Sequence, residues 1–110
     1  MLVPRPDLLQ GTLDLLILRT LVPGALHGWA ISKRIQQVSS DVLTVNQGSL
    51  YPALYRLEHR GWIAGRDSVS PEGRRIKVYK LTTAGEKQLA AEVRTWREFA
   101  AAINHVIRTA

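Results

Sequence analysis

Two stretches of this chain carry side chains suited to surface chemistry. The first is "NQGSLYPALYRLEHRGWI" (46–63), in which Leu50, Leu54 and Leu57 repeat at helical spacing. Its other side holds Arg56, His59 and Arg60 together with Tyr51 and Tyr55, and Gln47 and Ser49 stand at its head. A merely solvated helix face would carry charge where the tyrosines stand, and Pro52 lies where a helix interior rejects proline. The second stretch gathers Arg74, Arg75 and Lys77 around a turn with little acidic compensation, and Lys33 and Arg34 form a smaller basic pair upstream. Amides, hydroxyls and guanidinium groups of this kind hydrogen-bond to base edges and phosphate oxygens.

The charge distribution agrees with that chemistry. The net charge is +6, and residues 31–82, with nine basic and four acidic side chains, hold five of those six. A basic segment attracts phosphate backbones or anionic membranes, although it also serves as a solubilising surface. Catalytic chemistry has little to stand on. His27, His59 and His105 fall on separate segments with no carboxylate at a useful spacing, and Gly24, Gly28 and Gly48 are isolated rather than part of a phosphate loop. No metal-ligand set and no cofactor motif is expected, and the absence of cysteine suits a reducing cytoplasm. The apolar run Leu13–Leu18 is interrupted by Asp14 and followed by Arg19, so no membrane span is expected, and "MLVPRPDLLQ" lacks the order of a secretion signal.

These groups must be positioned by a chain of 110 residues, enough for one domain or one domain with an extension. Residues 8–22 read as a helix apolar on two sides, which must therefore be buried on two sides. A second helix runs from about His27 to Val38, with Ile31, Ile35 and Val38 inward. "SSDVLTV" (39–45) suits a brief strand. The third helix starts behind Ser49 as its N-cap, which places Pro52 in the first turn, where its missing N–H costs little. Gly61 ends it. Residues 62–82 form a hairpin, with Pro71 and Gly73 at the second and fourth positions of its turn. Thr83 and Glu86 fit a capping box opening a last helix from Ala84 to Arg108.

Along that helix Leu89, Val93, Trp96, Ala100, Ile103 and Ile107 are spaced four, three, four, three, four, a heptad seam. About 25 residues of helix span roughly 37 Å, more than the rest of the domain can cover. An uncovered seam calls for a partner, most simply a second copy related by two-fold symmetry. Folding back onto Leu8–Leu18 is the alternative, and a dimer can use both contacts.

The expected fold is mainly α with a small β-hairpin: a winged helix-turn-helix over residues 1–82 and a dimerisation helix over 83–110. A helix fits the DNA major groove, and a hairpin beside it reaches the neighbouring backbone or minor groove. Competing readings are a winged-helix protein-interaction module, which predicts a neutral third helix and wing, and a non-specific nucleic-acid binder.

The stretches "LLQGTLDLLILRTL", "HGWAISKRIQQ", "GSLYPALYRLEHRGWI" and "RRIKVYKLTTAGEKQL", with the late Trp96, resemble the PadR family of bacterial transcriptional regulators over nearly the whole chain, most of all its small subfamily with a single C-terminal helix. The resemblance implies a homodimer formed through the last helix with help from the first, repression at a promoter or operator in double-stranded DNA, and release by a small aromatic or amphipathic effector. It also implies that the head of the third helix enters the major groove. There Arg56 reads guanine or clamps a phosphate, Gln47 reads adenine or bonds locally, and Tyr51 reaches a phosphate or packs on the second helix, with Ser49 and Tyr55 alongside. Lys33, Arg34, Arg74, Arg75 and Lys77 are the expected phosphate contacts. Trp29, beside a glycine at the start of a helix, is expected to pack in the core or against backbone rather than to contact a base. Trp96 either sandwiches a flat ligand with its symmetry mate, beside Leu9, Leu13, Val93, Ala100 and Ile103, or anchors a closed dimer core.

Overall fold

The computed structural model describes residues 6–109, with side chains from residue 12 onward. Helix α1 (Pro6–Thr20) leads to a two-residue strand β1 (Leu26–His27), then α2 (Gly28–Val38) and α3 (Gln47–His59). A hairpin of β2 (Ile63–Val69) and β3 (Arg75–Leu81) follows, and α4 (Thr83–Thr109) closes the chain. The sheet order is β1-β3-β2, antiparallel throughout, with Leu26 opposite Tyr79 and Gly65 opposite Tyr79 on the other side.

The core gathers around α1, whose Leu13, Ile17 and Leu18 are buried, together with Leu21 beyond its end. Ile31 and Ile35 of α2, Leu50, Ala53, Leu54 and Leu57 of α3, and Ile63 and Tyr79 of the sheet complete it. Helical spacing marks these positions out as inward, except that Val38, expected inward at the end of α2, is 73% exposed; burial of each large aliphatic side chain stabilises the fold by roughly 1.5–3 kcal/mol.

Four local expectations shift. First, residues 39–45 form no strand. The backbone turns through Ser40 (φ 52°) and Asp41 (φ 68°), and the Asp41 amide donates to the Gln36 carbonyl at 2.9 Å. The Leu43 amide donates to Ser39 Oγ at 3.0 Å. Leu43 and Val45 pack against the core while Val42 and Thr44 are exposed, so the alternation is real but pairs with no neighbouring strand. Second, α3 begins earlier than Ser49, and its N-cap is Asn46, whose side chain accepts from the Ser49 amide at 2.9 Å. Third, Pro52 is consequently inside the helix, in its second turn. The carbonyl it deprives of a partner is that of Gly48, which is exposed, so solvent can satisfy it. Fourth, the cap of α4 is Thr82, not Thr83. Its Oγ accepts from the Gly85 amide at 3.0 Å and donates to the Gly61 carbonyl at 2.7 Å.

That cap brings the first turn of α4 onto the end of the preceding segment. A Cβ at Gly85 would stand 1.9 Å from the Trp62 carbonyl oxygen, so only glycine fits. Gly85→Ala should cost about 1–3 kcal/mol of stability, read by chemical denaturation; an unchanged midpoint would show that α4 seats elsewhere in solution.

The wing turn forms as its residues demand. The Gly73 amide donates to the Ser70 carbonyl at 2.9 Å, Gly73 takes φ 83°, and Arg74 and Arg75 emerge at the tip.

Candidate nucleic-acid interface

Three elements carry exposed polar side chains: α3, the head of α2 and the wing. On α3, Gln47, Tyr51 and Tyr55 recur four residues apart and are exposed, with Ser49 half-buried beside them. Tyr55 is 69% exposed and stacks on His59, ring centroids 5.6 Å apart. Tyr51 lies across the start of α2: a Cβ at Gly28 would be 2.9 Å from its ring and 3.0 Å from its hydroxyl. Gly28 therefore lets the heads of α2 and α3 approach, and Tyr51 packs on α2 while remaining partly open to solvent.

The head of α2 adds residues that sequence reasoning missed. Trp29 does not enter the core; it is 51% exposed, stacked on His27 at 6.2 Å, with Lys33 Nζ 5.3 Å from its ring. The neighbouring Gly28 was the available signal: it is buried and gives way to Tyr51, which leaves the adjacent indole directed outward. An exposed indole with an ammonium over its face offers a stacking surface, an N–H donor and a positive charge together.

In the wing, Arg74 and Arg75 are exposed, and among the described residues neither forms an ion pair. Lys77 is different. Its Nζ donates to Glu58 Oε1 at 2.9 Å and lies 5.6 Å from the Tyr79 ring. The Glu58 hydrogen bond, outweighing desolvation, raises the Lys77 pKa above its ordinary value. Lys77 thus ties the wing to the end of α3, and its charge is partly answered within the fold.

Arg56 does not join the outward surface either. Its guanidinium turns back to Asp14 of α1, forming an ion pair in which the Arg56 side chain is 29% exposed and that of Asp14 13%. Burial pushes the Asp14 carboxyl above the usual carboxylate range, and Arg56 offsets this only in part. The structure therefore sets Gln47, Ser49, Tyr51 and Tyr55 along α3, joins the heads of α2 and α3 through Tyr51 and Gly28, leaves Lys33 on α2 and Arg74 and Arg75 at the wing tip, and turns Arg56 back to Asp14.

The residues expected around a pore are dispersed on a single protomer. Leu13 is buried in the core, Val93 and Ala100 are half-buried, and Trp96 and Ile103 are 43% and 42% exposed. The Leu9 side chain lies outside the described residues. Phe99 (51%), Val106 (59%) and Ile107 (71%) lie exposed on the same helix, with the Phe99 ring 6.2 Å from that of Trp96. Phe99 and Val106, seven apart, widen the heptad seam by a third row. A pocket of about 370 Å³ among the described residues lies between α1 and α2, with Leu16, Arg19, Arg34 and Val38 in its wall.

A helix-turn-helix with a basic β-wing, carrying an exposed hydrogen-bonding helix face, defines a winged-helix DNA-binding regulator. The family model for the Transcriptional regulator PadR-like family matches residues 17–91, and the chain belongs to that family. It is 33% identical over 91 residues to a transcriptional regulator of Mycobacterium tuberculosis, covering 83% of this chain and 81% of that protein. Among solved structures it is similar to a transcriptional regulator from Clostridium thermocellum, with TM-score 0.82, 28% identity and coverage of 90% of this chain and 96% of the other. A PadR-like transcriptional regulator from Bacillus cereus superposes with TM-score 0.77 at 25% identity, covering 94% and 99%. Proteins of this kind are transcriptional regulators, not enzymes, and among the described residues no helix is long and apolar enough to cross a membrane.

Proposed function

We propose that this PadR-like regulator is a repressor that binds a two-fold promoter site as a homodimer and leaves it when a small aromatic or amphipathic effector binds. The observation that carries the reading is the pairing of two exposed surfaces on one chain. The α3 face with its basic wing is built for a groove and its phosphates, and the row Trp96, Phe99, Ile103, Val106 and Ile107 is built for another apolar surface. Gln47, Ser49, Tyr51 and Tyr55 are assigned to the groove, and Lys33, Arg74 and Arg75 to phosphates. Lys77 and Arg56 serve them by holding the wing and α3 in place.

Effector release rests on Trp96 and Phe99. Two-fold pairing of α4 would bring two copies of these rings near one axis, where a planar molecule can lie between indoles. The alternative is a closed dimer core with no room for a ligand.

The test is a footprint on the promoter upstream of the coding region, in the presence of competitor DNA. Expected is protection of two half-sites one helical turn apart, lost on adding a planar aromatic dye but retained with the dye in Trp96→Phe. Protection that competitor DNA removes evenly would leave a non-specific nucleic-acid binder.

A further inference from the structure

The Asp14–Arg56 pair is a charged link between the groove-facing helix and the helical platform beneath it. It joins residues 42 positions apart. α1 packs against both α3 and α4, and Asp14 lies where these helices meet. Glu92 of α4 and Arg60 of α3 are close enough to act on the Asp14 carboxyl electrostatically. Tyr55, next to Arg56 in sequence, points outward from the same turn of α3.

We propose that Arg56 is a positioning residue: held by Asp14, its guanidinium fixes the orientation of α3 on the α1–α4 platform and so sets the separation of the two recognition helices in the dimer. The physical reasons are geometric and energetic. An ion pair that is largely buried pays desolvation against its Coulomb attraction and contributes little net stability, but it is directional. The charged hydrogen bond from Arg56 to Asp14 restricts how the helices sit where an apolar contact would let them slide. Beside it, the core that α1 and α3 share is aliphatic: Leu13, Ile17, Leu50, Leu54 and Leu57. Such contacts tolerate small shifts, whereas matching two half-sites on one duplex does not. Arg56 thereby acts on DNA through α3, not by touching it.

This inference rests on the dimeric, groove-reading function above, and a double-mutant cycle on DNA binding tests it. Asp14→Asn, Arg56→Met and the double variant are compared on a two-fold operator, on operators with the half-site separation changed in single base-pair steps, and on an isolated half-site. Each single substitution should weaken operator binding by roughly tenfold and flatten the spacing preference, and the double variant should be no weaker than the weaker single. Half-site binding should change far less. Effects that multiply in the double variant would overturn the proposal, as would loss of discrimination at one base pair in Arg56→Met alone, since that is the signature of direct reading. If a single variant unfolds, the swapped pair Asp14→Arg with Arg56→Asp takes over: restored spacing preference supports positioning, and failure to restore it overturns it. A wild-type protein that does not bind two-fold DNA as a dimer would instead defeat the underlying reading before any variant is made.

Discussion

Ile103→Asp should yield a protein that sediments as a monomer and no longer protects both halves of an operator. Ile103 is 42% exposed on a lone protomer and stands between Phe99 and Ile107 on a face with no covering element among the described residues. In the proposed two-fold dimer any substitution there would occur twice in the interface. A carboxylate forced into an apolar contact costs several kcal/mol per site unless it finds a partner. A total of about 4 kcal/mol would already weaken dimerisation roughly a thousandfold. Val93 and Ala100, also on the seam, are poorer probes because they are half-buried within the protomer, where a charge would damage folding as well as pairing. Ile103 separates the two effects: its far-ultraviolet dichroism and core melting should persist while the sedimentation coefficient falls. A variant that still sediments as a dimer would show that α4 does not pair through this face.

What could be read from the sequence, and what could not, divides by range. Periodicity reports the face a residue occupies, so the inward set Ile31, Ile35, Leu50, Leu54 and Leu57 and the outward pair Tyr51 and Tyr55 are legible in the sequence, whereas Val38, expected inward at the last turn of α2, is exposed. The wing turn was legible because Pro71 and Gly73 each demand a particular backbone conformation. Periodicity does not report partners. Arg56 reads as a groove residue because it is basic and lies among polar neighbours; Asp14, which claims it, is on another helix. Lys77 and Glu58 are likewise joined only by the wing folding onto α3. The caps slipped by a few positions because Asn46, Ser49, Thr82 and Thr83 are all competent N-caps, and the choice falls to backbone geometry, above all the approach of Gly85 to Trp62. The α4 seam was seen as two rows because a strict heptad count passes over Phe99 and Val106.

Removing both wing-tip arginines, Arg74→Ala with Arg75→Ala, should produce the other large effect, and one of a different kind. Both side chains are exposed, and among the described residues neither has an acidic partner, so each is free to meet a phosphate. Each phosphate contact contributes about 0.9 to the slope of log affinity against log salt through counterion release. A dimer carries two wings, so the double substitution removes up to four contacts and should lower that slope by about three to four. Because phosphates carry no base identity, specific and competitor DNA should lose affinity in nearly equal proportion. Lys77→Ala supplies the internal contrast. Its ammonium is already engaged by Glu58, so the salt slope should change little while the wing loosens on α3. A slope unaltered by the double substitution would mean that the wing stays clear of the backbone, and the electrostatic footprint would then have to shift to Lys33 and the head of α2, where the exposed Trp29 lies.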